Sequence, residues 1–170
     1  MQVLNPDPQW DVVVVKSANQ TVTNSATLTN DTELAFDAAI NEVWHVMMRL
    51  GFASSAVSGA DGKLSLASSV AAFVTAQSNW EGVYYNAVGT LTTKAPTAFD
   101  STTLAMSPGV TALETGSPFG GTITPIFLQF RIRFSAAATA TLQFAQVTAT
   151  AGQSVTMQAG STLTAKRMLV

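Results

Sequence analysis

Residues 126–134 read Ile126-Phe127-Leu128-Gln129-Phe130-Arg131-Ile132-Arg133-Phe134. Leu128, Phe130, Ile132 and Phe134 alternate with Gln129, Arg131 and Arg133. Successive side chains of a strand point to opposite faces, so this alternation predicts a strand with one buried and one solvated face. Downstream, 139–148 (TATLQFAQVT) continues with Leu142 and Phe144 facing one way, and Ala151-Gly152 reads as a turn. Val155-Thr156-Met157 and Leu163 to Met168 follow, on either side of Gly160. Short strands spaced by about ten residues predict a β-sandwich or barrel.

Upstream, 89–120 is rich in Thr, Pro, Gly and Ser with single apolar residues, which reads as loop with short strands. Val83 to Val88 is a strand candidate carrying two tyrosines. The spacing of Val70, Phe73 and Val74 allows a short helix over 68–78. Leu64 and Leu66 alternate after Asp61-Gly62, a hairpin-turn signal. Segment 32–52 fits two patterns. As a helix it gathers Phe36, Ala39, Ile40, Val43, Trp44 and Met47 on one stripe. As two strands it alternates Leu34, Phe36 and Ala38, turns near Asn41-Glu42, then alternates Trp44, Val46, Met48 and Leu50. Periodicity alone leans to the helix. Asn30-Asp31 reads as a tight turn and Val12 to Val15 as a buried strand. Residues 1–9 hold Pro6 and Pro8 and read as an extended arm before a single domain over 10–170.

Composition narrows the function. The 170 residues include 8 Lys+Arg and 10 Asp+Glu, 11% charged, and no cysteine. An ordinary domain carries about 25% charge. Disulfide, thiol and Cys-ligated zinc chemistry are excluded. A net charge of −2 gives no global attraction to nucleic acid or anionic membranes. No apolar run reaches the roughly 18 residues of a bilayer span, and 1–10 lacks the features of a secretory signal. So sparse a charge predicts that part of the surface is covered by other subunits.

His45 is the one histidine, and the sequence suggests no partner for it. The aspartates lack calcium-loop spacing, no phosphate-cradling glycine motif occurs, and no carboxylate pair can be assigned. Asn19-Gln20-Thr21 and Asn30-Asp31-Thr32 match a glycosylation sequon by chance composition. The expectation is no enzyme, no metal and no cofactor. Arg131, Arg133, Lys166 and Arg167 hold half the positive charge, and strand pairing would gather them into an electrostatic contact for a protein partner.

Certain short motifs carry a resemblance. They are Lys16 with Gln20-Thr21-Val22; Asp31, Glu33, Leu34 and Phe36; and Asn41, Glu42 and Trp44. Near the end come Leu142, Gln143, Ala145 and Gln146, then Gly160, Ser161, Leu163 and Lys166-Arg167. Together these resemble the small β-rich structural proteins of tailed bacteriophages, over both ends of the chain but not over 55–125. The resemblance implies an all-β, jelly-roll-type sandwich, two strands over 32–52, and a homotrimer. It also implies a role as a capsid decoration (cement) protein on the outer head surface, made in the bacterial cytoplasm. The major capsid protein is then the partner, and nucleic acid and membrane are not. Val3, Leu4, Pro6, Pro8 and Trp10 would form a strap onto a capsid or sister subunit. Two other readings stay open. One is a tail-fibre or receptor-binding component, for which Trp80, Tyr84, Tyr85 and Phe119 would be exposed at loop tips. The other is a cellular carbohydrate-binding module or an enzyme accessory domain.

Overall fold

The strand around Phe130 is one of two long central elements in the larger of two sheets. A computed structural model describes residues 10–54, 62–74, 79–85, 91–94, 98–99, 103–105 and 123–168. Its strands are β1 (Val12–Val15), β2 (Gln20–Thr23), β3 (Thr29–Ala38), β4 (Val43–Ser54), β5 (Gly62–Ser68), β6 (Asn79–Tyr85) and β7 (Leu91–Lys94). They continue with β8 (Ala98–Phe99), β9 (Thr103–Ala105), β10 (Ile123–Arg133), β11 (Ala138–Gln146), β12 (Ser154–Met157) and β13 (Thr162–Met168). The fold is all-β, a β-sandwich.

The larger sheet runs β1-β13-β4-β10-β6-β7, and β12 pairs with both β4 and β2. The smaller runs β3-β11-β5-β9-β8. One edge of β4 pairs with β10 from Val43 to Ala53. Its other edge is shared: β13 takes Val43 to Arg49, and β12 takes Phe52 to Ser54. Gly160, at φ +85°, lies in the connection between β12 and β13, where only a glycine adopts that backbone without strain.

The core lies between the sheets. Leu128, Phe130, Ile132 and Phe134 are all buried, as the alternation predicts. Phe134 meets the rings of Phe36 at 6.1 Å and Phe73 at 5.5 Å, both edge-to-face, and Phe52 meets Phe144 the same way. Gly62 touches the Phe52 ring so closely that a Cβ there would overlap it.

Segment 32–52 forms two strands. The helical stripe fails because Leu34, Phe36, Ala38, Trp44, Val46, Met48 and Leu50 are buried at period two, while Ile40 is 59% exposed. The turn between them holds Asn41 at φ 66°, a conformation asparagine tolerates. It is not a hairpin: β3 enters the smaller sheet and β4 the larger, so the chain crosses the sandwich there. Asp61-Gly62 fails as a hairpin for the same reason, since β4 and β5 lie in different sheets and Gly62 is the first residue of β5. Asp61 lies outside the described residues. Asn30 and Asp31 sit inside β3 rather than in a turn, because the buried Asp31 carboxylate is held by a cation. The short helix is absent over 68–74, where Phe73 makes a bridge to Phe134; 75–78 lie outside the described residues. The Val12–Val15 run is a strand, but it pairs with β13 at the sheet edge, and only Val14 is fully buried.

Candidate interaction surface

Two arrangements answer to the residues singled out in the sequence. The first is a set of polar clamps. Lys16 follows β1 and is buried, with its Nζ 3.0 Å from each oxygen of Asp31; the geometry is that of a hydrogen bond only to Oδ1. Oδ1 also accepts the backbone N–H groups of Glu33 and Leu34, each at 2.9 Å. Glu33 lies 3.8 Å from the same ammonium and accepts the Ser17 N–H at 2.9 Å. That N–H is the main cause that holds the Glu33 carboxyl below its usual range; desolvation opposes it, and the Ser17 side chain, the Ala18 N–H and the Lys16 charge add to the lowering in that order. Gln20 Oε1 accepts the Thr32 N–H at 2.8 Å, and its Nε2 donates to the Asn30 carbonyl. The first strand segment is thereby tied to β3 across the sandwich.

Glu42 closes the crossing turn. Its Oε2 accepts the Ala39 N–H at 2.8 Å and the Trp44 indole N–H at 3.0 Å, and Oε1 accepts Arg167 Nη1 at 2.9 Å. The Ala39 N–H is the main cause that lowers the Glu42 pKa, followed among the lowering causes by Arg167 and Trp44. Gln146 is buried and its Oε1 accepts the Ser25 N–H. Ser161 Oγ accepts the Gly51 N–H. These motif residues work on the framework itself.

The second arrangement is the outward face of the larger sheet. Trp44, Val46 and Met48 of β4 point into the core, so His45, Met47 and Arg49 point out. His45 stands directly opposite Arg131 on β10 and Lys166 on β13. Directly opposed strand residues share a face with Cβ atoms about 5 Å apart, so the three form one transverse row. Val43 stands between Arg133 and Met168, and Arg49 between Phe127 and Thr162. Arg131, Arg133 and Lys166 therefore share one face. Arg167 does not join them: it falls on the opposite pleat, opposite Trp44, and its guanidinium is spent on Glu42. Arg49 joins instead. Four cations alternating with apolar residues give no single local signal, and only the pairing of β4 between β10 and β13 assembles them. Among the described residues, no carboxylate lies within 4.0 Å of Arg49, Arg131 or Lys166.

Trp10 covers part of this face, its ring centroid 6.0 Å from that of His45. His45 Nε2 is buried and has no hydrogen-bond partner among the described residues. Beside them is a depression of about 340 Å³ lined by Trp10, Val13, Met47, Arg49, Thr162 and Thr164. On β10 the outward residues Phe127 and Ile123 are 46% and 49% exposed. Val3, Leu4, Pro6 and Pro8 of the expected arm, and Phe119, lie outside the described residues. Trp80, Tyr84 and Tyr85 belong to strand β6 and not to a loop tip. Among the described residues, no group of three or more His, Asp or Glu is placed to hold a metal ion.

No family model and no curated protein matches this sequence. Two solved chains that it resembles come from "Structure of infectious bursal disease virus Gx strain" and "Crystal structure of infectious bursal disease virus VP2 subviral particle". The first superposes with a TM-score of 0.21 at 14% identity, over 97% of this chain and 44% of that one. The second gives 0.22 at 12%, over 97% and 43%. The chain spans less than half the length of either, and TM-scores this low carry no weight for its function.

Proposed function

We propose that this chain is a virion structural protein: a capsid decoration (cement) protein that binds the outer head surface of a tailed phage as a homotrimer. The observation that carries the reading is the convergence of the motif residues. Lys16 and Gln20 meet Asp31 and Glu33, some fifteen positions on, in one polar cluster, and Glu42 and Trp44 meet the distant Arg167 in another. A pattern spent on clamps describes a shared framework, which is what a resemblance among structural proteins requires.

The strand order supports the jelly-roll form of that framework. β1 with β2, and β12 with β13, count as single interrupted strands, and β6 to β8 as an insertion. The eight strands then lie in the orders 1-8-3-6 and 2-7-4-5, two interlocked Greek keys. The surface supports assembly: 8318 Å² is served by only 18 charged residues. A cement protein needs no catalytic group. Three copies acting together turn weak single contacts into a tight one through effective concentration.

Light scattering after size exclusion tests the trimer, and co-sedimentation with heads of the encoding phage tests the decoration. A mass near three times 17.7 kDa and saturable binding to heads is the expected result. A monomer that stays in the supernatant refutes the reading.

A further inference from the structure

We infer that the outward face of the larger sheet is the docking surface, and that it takes a protein surface presenting carboxylates around an apolar projection. The inference rests on the decoration reading above, which makes the capsid that protein. Arg49, Arg131, Arg133 and Lys166 bring half of the chain's eight cations onto this one face, although its net charge is −2. Arg49, Arg131 and Lys166 are exposed with no described carboxylate within 4.0 Å, whereas Arg167 and Lys16 are already paired. Register puts Glu81, opposite Gln129, on the same face, so the four cations there still exceed the acids that pairing brings to them, and an excess of positive charge suits an anionic partner.

The neighbouring residues select the class of partner. Trp10, Met47, Phe127 and the arginines belong to the types enriched at the centres of protein interfaces. Outward strand positions are ordinarily polar, yet Ile123 and Phe127 stand exposed on the same strand as Arg131. The depression under Trp10, with Arg49 on its wall, has room for one apolar side chain flanked by an acid. Nucleic acid fits this face less well, because four cations supply too few phosphate contacts for useful affinity. The backbone under the row is fixed, since β4 is hydrogen-bonded on both edges, so the spacing of the cations along and across the strands is set before binding.

The test is co-sedimentation with heads of the encoding phage, using the full chain and the double variant Arg131→Glu/Lys166→Glu. A second variant, Arg131→Gln/Lys166→Gln, removes the charges without reversing them. Far-UV dichroism confirms that each folds. Lys63→Glu, on β5 of the other sheet, is the control. The expected result is a loss of head binding of at least about tenfold for the reversal, less for the neutral pair, and none for the control. Binding by the wild type also weakens as salt rises from about 50 to about 500 mM. If the folded double variants bind heads as the wild type does, the inference is overturned and the decoration reading stands. If the wild type itself does not bind, both fall. If both bind alike and the reversal converts a trimer to a monomer, the face belongs to a second copy of the chain and the assignment to the capsid is overturned.

Discussion

Replacing Lys16 by Met removes the cation from a fully buried ion pair while keeping most of the side-chain volume. Lys16 and Asp31 are both 0% exposed at their side chains, and the Nζ lies 3.0 Å from the carboxylate. Removing one partner of such a pair costs about 3–5 kcal/mol, because the other charge stays buried without compensation. Here the Asp31 carboxylate keeps two backbone N–H donors, from Glu33 and Leu34, so the loss belongs at the lower end of that range. Domains are stable by only about 5–15 kcal/mol, so even about 3 kcal/mol is a large share. For a chain of this size it lowers Tm by about 6–12 °C. Urea unfolding at fixed protein concentration reads the change as a lower midpoint. Adding Asp31→Asn in the same chain removes the stranded charge yet keeps an oxygen for the two N–H groups. The double variant is therefore expected to recover all but about 1–2 kcal/mol. A loss under about 1 kcal/mol for Lys16→Met, or a double variant no better than the single, refutes the reasoning.

Three further outcomes follow from the same contacts. Phe134→Ala opens a cavity where the rings of Phe36 and Phe73 meet, and is expected to cost about 3–5 kcal/mol by urea unfolding. Gly62→Ala drives a methyl group into the Phe52 ring and is expected to cost about 1–3 kcal/mol by the same measurement. Glu33 and Glu42 both have lowered pKa values in the folded chain, so each adds stability above its unfolded pKa and loses it as pH falls through the folded one. Thermal melts are expected to hold level above about pH 5 and to fall below it, and Glu42→Gln should make that fall shallower.

The strand content was legible because burial of one sheet face writes a period of two into the chain, as in 126–134, and the clamp residues were legible as spaced motifs. What the sequence left open was every question of which strand pairs with which. Segment 32–52 carries apolar residues at both helical and strand spacings, and only the sandwich, which needs Leu34, Phe36, Trp44 and Val46 between its two sheets, chooses the strands. Asp31 looked like a turn residue because its partner Lys16 is fifteen positions away and invisible to any local rule. The basic face was half legible: Arg131 and Arg133 announce an outward strand face, but their meeting with Lys166 and Arg49, and the diversion of Arg167 to Glu42, depend on register. Local periodicity is set by covalent geometry and burial. Long-range pairing is set by the closure of two sheets over one core, and that closure decides which cations stand together.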